Sequence, residues 1–345
     1  MATAIPSSTT TAIDVLAPLP GRKADRVPAL VILGFALLAL PLIGSGSTWV
    51  TLTVAAMAMG MMLFIMASGL TLVFGLMDVM NLGHAAFVAI GAYAATSMVS
   101  PLNAWLVADS LTHNLLAVVL IALVAMLVTA AVGMVFERIF IRPAQGNHLK
   151  QILVTIGAMI ILDQLVLVVW GANQMLLPLP TTLRGSMIFG DIAVERYRLI
   201  AIGVGLLVFL GLVLILTRTR IGLLIRAGVE NREMVESLGH RIQRLFVVVF
   251  VAGASLAGLG GTMWGFYREQ FTVGIGAEVL VQILIVVIIG GLGSVTGCFA
   301  AALLIALSTN YVSFLAPDFA LVSNIIVMMA VLLWRPRGLY PLTAH

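Results

Sequence analysis

The chain has 345 residues, 61% of them hydrophobic and 9% charged, where a soluble domain carries about 25% charged residues. With a mean hydropathy of +1.16 it reads as an integral membrane protein. The modest net charge of +4 therefore follows membrane topology rather than nucleic-acid binding. Unbroken apolar runs of about 20 residues also exclude a transmembrane barrel, whose strands would alternate over about 10. The fold class is all-α polytopic, because lipid leaves the backbone no other way to satisfy its polar groups.

In chain order, residues 1–27 form a polar tail rich in Ser, Thr, Ala and Pro that ends in Arg22, Lys23 and Arg26. The run that follows is long and is succeeded directly by further spans, so it reads as a retained first span rather than a signal peptide. Apolar segments are expected at 28–46, 51–76, 84–100, 114–136, 151–172, 199–217, 245–267, 279–292, 295–315 and 320–334. Those at 84–100 and 279–292 are short and border glycines, so each is a candidate half-helix. The total is eight to ten transmembrane or half-membrane helices. The membrane-embedded body is bounded at 28–339, with a short tail at 340–345.

The first span boundary of interest is FGLMDVMNLGHAAF, where Asp78, Asn81 and His84 recur every third residue. Two readings stand: a polar stripe lining an aqueous path, or a polar turn between helices packed by Gly75 and Gly83. Farther on, Asp163 and Gln164 lie inside the run 151–172 and are expected to be buried polar groups. Asp163 would clamp a neighbouring helix or serve as an ion site.

Between two spans sits a charged island, 218–244, with six arginines and three glutamates. Its middle, RAGVENREMVESLG, predicts a short amphipathic helix with Ala227, Met234, Val235 and Leu238 on one side and the charges on the other. Such a segment in a greasy protein is a candidate docking element, with Arg226, Ala227, Glu230, Arg232, Glu233, Glu236 and Gly239 as its contact residues. Beyond it, Gly253, Ala257, Gly261 and Gly265 recur every four residues and form a helix-packing ridge. The stretch GGLGSVTG, with Gly290, Gly291, Gly293 and Ser294, is either a broken helix lining a path or a turn between two spans. Cys298, the one cysteine, reads as a small packing residue.

If the N-terminus is cytoplasmic and all ten segments cross, 14 of the 18 Lys and Arg residues fall on the inner side. Both termini and the island are then cytoplasmic. No phosphate loop, zinc-hydrolase motif, nucleophile elbow or Cys/His cluster is present in the sequence. No cofactor or metal is expected in this chain, and a nucleotide-driven mechanism would need another subunit to bind ATP.

Four ordered stretches carry a family resemblance: GLTLVFGLMDVMNLGHAAFVAIGAYAA, ERIFIRPA, RTRIGLLIRAGVENREMVESLGHRIQRLF and VVIIGGLGSVTGCFAAALLI. Together the chain resembles, from about Val50 to Leu339, the smaller H-type permease subunit of branched-chain amino acid ABC importers. That resemblance implies the ABC importer permease fold and a bacterial inner (plasma) membrane location. It also implies partners: ATP-binding subunits, a second related permease and a periplasmic substrate-binding protein, besides the lipid bilayer. The island helix would be the coupling helix seated in the ATPase. Branched-chain amino acids are the expected cargo, with urea, short amides or aromatic acids as alternatives within the class. Two rivals from other classes are an ion-coupled carrier using Asp163 or Asp78, and an intramembrane enzyme built on His84 and Asp78.

Overall fold

The computed structural model describes residues 27–230, 232–239 and 241–340; the tails at 1–26 and 341–345 lie outside the described residues. The chain is a bundle of helices: α1 (Val27–Ile43), α2 (Gly46–Met77), α3 (His84–Ser97), α4 (Asn103–Val107), α5 (Leu111–Phe136), α6 (His148–Trp170), α7 (Arg196–Arg218), α8 (Arg220–Glu230), α9 (Arg232–Ser237), α10 (Ile242–Arg268), α11 (Ile275–Gly290), α12 (Val295–Leu315) and α13 (Ala320–Trp334). All ten expected apolar segments are helical. Six of the helices, α2, α5, α6, α7, α10 and α12, are long and apolar enough to cross a membrane.

The short ones are short for the reason the sequence suggested. At 14 residues α3 is about 21 Å long, less than a hydrocarbon layer of about 30 Å. It is buried from His84 to Ala95, so it is an internal pillar rather than a lipid-facing span. The 16-residue α11 is similarly brief. Around α3 pack α10, α5 and α11, and α2 lies between α10 and α12. These helices form the core, whereas α6 and α7 stand at its rim with few buried positions.

Close approach in the core depends on glycine. A Cβ on Gly253 would lie 2.7 Å from the Gly69 carbonyl oxygen, and one on Gly261 would collide with the backbone of Val88. The small-residue ridge of α10 is thus pressed against α2 and α3, as expected of a packing face. Beside it Phe87, Phe136 and Phe250 interlock, the last two stacked with ring centroids 5.9 Å apart.

The connections sort into two ends. At one end, the indole of Trp170 donates to Ser97 Oγ, Thr182 donates to Asn114 Oδ1, and Leu177 N–H donates to the Glu269 carbonyl. This end also carries the two-stranded ribbons β1 (Met175–Leu176) with β4 (Gln270–Phe271), and β2 (Ser186–Phe189) with β3 (Ile192–Glu195). At the other end lie the 78–83 turn, the 137–147 connection, α8 and α9, the 291–294 turn and the chain from 335 to 340.

Candidate functional site

The second end gathers most of the residues singled out by sequence. The stretch 78–83 is a turn, not a continuing helix, so the expected stripe of Asp78, Asn81 and His84 on one helical face does not form. Asp78 ends α2 in the left-handed region (φ 50), a conformation Asp tolerates better than most side chains. Its backbone N–H donates to the Phe74 carbonyl, and its exposed carboxylate lies 3.7 Å from His148. Asn81 is buried, and neither atom of its amide has a partner among the described residues. His84 is buried too, its Nε2 2.8 Å from the Met66 carbonyl oxygen on α2. The three residues therefore point to solvent, into the turn and into the core respectively. An enzyme built on His84 with Asp78 has no shared site to work in.

The glycine-rich stretch is also a turn. Gly291 and Gly293 both have positive φ, which glycine adopts without strain, and Ser294 caps α12 by accepting from Gly297 N–H at 3.1 Å. Gly290 is wedged against Gly297 and Cys298 across that turn. What sequence alone did not reveal is that the two turns meet. A Cβ on Gly75, near the end of α2, would stand 2.7 Å from Gly293 Cα, and Asn81, Leu82, Ile288 and Leu292 line a small, partly open cavity of about 20 Å³. Residues 339 and 340 lock the same place. Leu339 N–H donates to the Ile289 carbonyl at 2.8 Å, and Tyr340 N–H to that of Gly290 at 3.2 Å.

Beside this seam stands the charged island. Helix is present over Arg220–Glu230 and Arg232–Ser237; residue 231 and the side chains of Arg226, Glu230, Arg232 and Glu233 lie outside the described residues. The expected single apolar face is divided. Val235 is 2% exposed and Ala227 is half-buried against the body, but Met234 and Leu238 are 48% and 69% exposed. The physical reason is that Val235 must seal α10, which turns its neighbour Met234 outward, while Leu238 falls beyond the end of α9 at Ser237 and leaves the helical face altogether. Glu236 is exposed with Met234 and Leu238, and Gly239 closes α9 in the left-handed region (φ 84). Behind the island, Ile221, Leu224, Val235, Arg241 and Arg244 border an open cleft of about 420 Å³ against α10.

Asp163 and Gln164 are placed differently from expectation. Asp163 is only half-buried and Gln164 is exposed, and neither makes a hydrogen bond or ion pair among the described residues. Among the described residues no helix is clamped by Asp163. The reason is rotational: α6 buries Gln151, Thr155, Ala158 and Val166, a face that Asp163 flanks and Gln164 opposes.

One polar residue escaped the sequence reading. Glu137 is fully buried in a π-helical turn, Glu137–Ile141, with neither carboxylate oxygen partnered among the described residues. The signal available was a carboxylate placed directly at the end of an apolar run, ahead of Arg138 and Arg142. Among the described residues no cluster of His, Cys, Asp and Glu is arranged to hold a metal ion.

Comparison with known proteins places this geometry. The family described as branched-chain amino acid transport system / permease component matches residues 52–333. The chain is 28% identical over 282 residues to the high-affinity branched-chain amino acid transport system permease protein BraD of Pseudomonas aeruginosa, covering 80% of this chain and 90% of that one. It is 24% identical, with the same coverage, to the corresponding permease protein LivH of Escherichia coli K12. A shorter likeness, 34% over 148 residues, reaches LivM of the same organism, spanning 40% of this chain and 33% of that one. No solved structure matches the chain. A multi-pass helical bundle with an arginine-rich helical island at one end, matched along most of its length, belongs to the permease components of branched-chain amino acid transport systems, the ABC importer class its sequence resembles.

Proposed function

We propose that this chain forms part of the translocation path of an ATP-driven importer and carries branched-chain amino acids inward across a bacterial inner membrane. The observation that carries the mechanism is the outward pair of Met234 on α9 and Leu238 just beyond its end. Apolar side chains displayed beside Glu236 on a helix outside the bilayer fit a groove on a soluble partner, here the ATP-binding subunit. The island, from Arg226 and Ala227 through Glu230, Arg232 and Glu233 to Glu236 and Gly239, would be the coupling element. Its position supports the reading, because α8 and α9 touch α2, α7 and α10 directly. A push on α9 is therefore passed to helices that run the full depth of the bundle.

The distribution of charge supports an inner-side island and inner-side termini: with all ten segments crossing and the N-terminus inside, 14 of the 18 Lys and Arg residues would fall on the inner side. The seam of Asn81, Gly75, Gly290, Gly291, Gly293 and Ser294 would then close the inner mouth, with Asp78 outside it and His84 pinning α3 to α2. Transport by alternating access needs no reactive side chain, nucleotide or metal in this chain. ATP would be bound and hydrolysed on separate subunits, a second permease would complete the path, and a periplasmic binding protein would deliver substrate.

The test is uptake of leucine into proteoliposomes holding the whole transporter, with binding protein outside the vesicle face that receives it and ATP on the island side. Leu238→Arg is expected to lower both ATPase recovery and uptake at least about tenfold while the permease stays inserted, consistent with loss of a central docking residue. Wild-type uptake by this variant, or leucine uptake by the permease with no ATP-binding subunit present, overturns the reading.

A further inference from the structure

We infer that the outward face of α6 around Asp163 and Gln164 is an interface inside the membrane, occupied by a transmembrane helix of a second polytopic subunit that offers hydrogen-bond donors at that depth. The inference rests on the importer reading, in which another permease stands beside this one, and adds where they meet.

Two observations fall on the outward side of one helix, and a third lies at its flank. Asp163 lies seven residues before Trp170, the last residue of α6, so it sits about 10 Å inside the end of the helix. That is too deep for so short a side chain to reach the headgroups. Gln164, on the face opposite the buried one, presents a full amide to whatever lies alongside. Gly157, two turns earlier on that same face, has nothing within 4 Å of the position a Cβ would take, which leaves a notch in the helix surface.

Hydrocarbon cannot satisfy a carboxyl or an amide, and it gains nothing from a notch. A neighbouring helix does both: its polar side chains pair with Asp163 and Gln164, and its backbone approaches at Gly157. The remaining outward residues of α6, such as Leu153, Ile161 and Val168, are apolar and exposed, as they would be on an interface sealed against water. The other rim helix, α7, is a useful contrast. From Leu199 to Thr217 it carries no charged side chain.

The experiment uses the transporter expressed with all its subunits. A photoreactive benzoylphenylalanine is placed at Gln164 and irradiated in intact membranes. The expected product is an adduct whose peptides come from a membrane-spanning helix of the second permease. In parallel, the double variant Asp163→Leu, Gln164→Leu is expected to reduce recovery of the second permease with this chain at least about tenfold, and Asp163→Asn to retain it. Adducts confined to lipid or to the ATP-binding subunit overturn the inference. So does a double variant that assembles normally and accumulates to higher levels, the behaviour of a lipid-facing helix relieved of polar groups. A wild-type complex containing no second permease would instead overturn the importer reading itself, so the two failures are distinguishable.

Discussion

Two residues at the same end of the molecule illustrate how location decides the worth of a contact. The pair Asp78 and His148 is 3.7 Å apart, with both side chains more than two-thirds exposed. Solvent-exposed pairs of this kind contribute from nothing to about 1 kcal/mol. His148→Ala is therefore expected to leave the thermal stability of the detergent-solubilised protein unchanged within error. Gly75 contributes no interaction at all, yet a side chain there meets Gly293 Cα at 2.7 Å. Gly75→Val must force the end of α2 away from the 291–294 turn, at a cost of about 1–3 kcal/mol for overpacking. A clear drop in the melting midpoint of the purified protein is expected, and an unchanged midpoint would mean that α2 and that turn are not in contact.

At the scale of elements, composition made every membrane-inserted helix legible, because a hydrocarbon layer admits few alternatives to a long apolar helix. The brevity of α3 and α11 was legible too, since glycines and polar turns interrupt their runs. Relations between elements were not. The sequence places Asn81 and Leu292 more than 200 residues apart and cannot say that they line one cavity. Nor does a row of apolar residues at helical spacing reveal how a helix is rotated. Asp163 was expected to be buried because it lies well inside an apolar run, whose many apolar positions leave the buried face undefined by pattern. The island shows the same effect at Met234 and Val235, neighbours in sequence that face opposite ways. Val235→Asp is accordingly expected to disturb the fold, seen as loss of inserted protein. Met234→Asp is expected to spare insertion and weaken ATPase recovery. Equal behaviour of the two variants would contradict the assigned rotation of α9.

For the molecule as a whole, rigidity is unevenly distributed. The centre, α2, α3, α10, α11 and α12, is joined by glycine contacts that leave little room for sliding, while α6 and α7 are bound along one narrow face each. Motion that opens a path is therefore expected between whole subunits and at the inner seam rather than within the central stack. Uptake driven this way depends on nucleotide and not on an ion gradient. A protonophore added to proteoliposomes supplied with ATP should leave leucine uptake within about twofold of the control, and abolition of uptake would favour an ion-coupled carrier. Substituting Asp163 by Asn should likewise leave energy coupling intact.

The backbone bonds from Leu339 and Tyr340 to the carbonyls at the foot of α11 bear on how this protein is handled at the bench. Those two amides stitch residues 339 and 340 into the seam of the two turns, so trimming before Leu339 should disturb that seam as well as shorten the chain. A purification handle fused directly after His345 begins only five residues from that stitch. It calls for a generous flexible spacer, or for relocation to the opposite terminus.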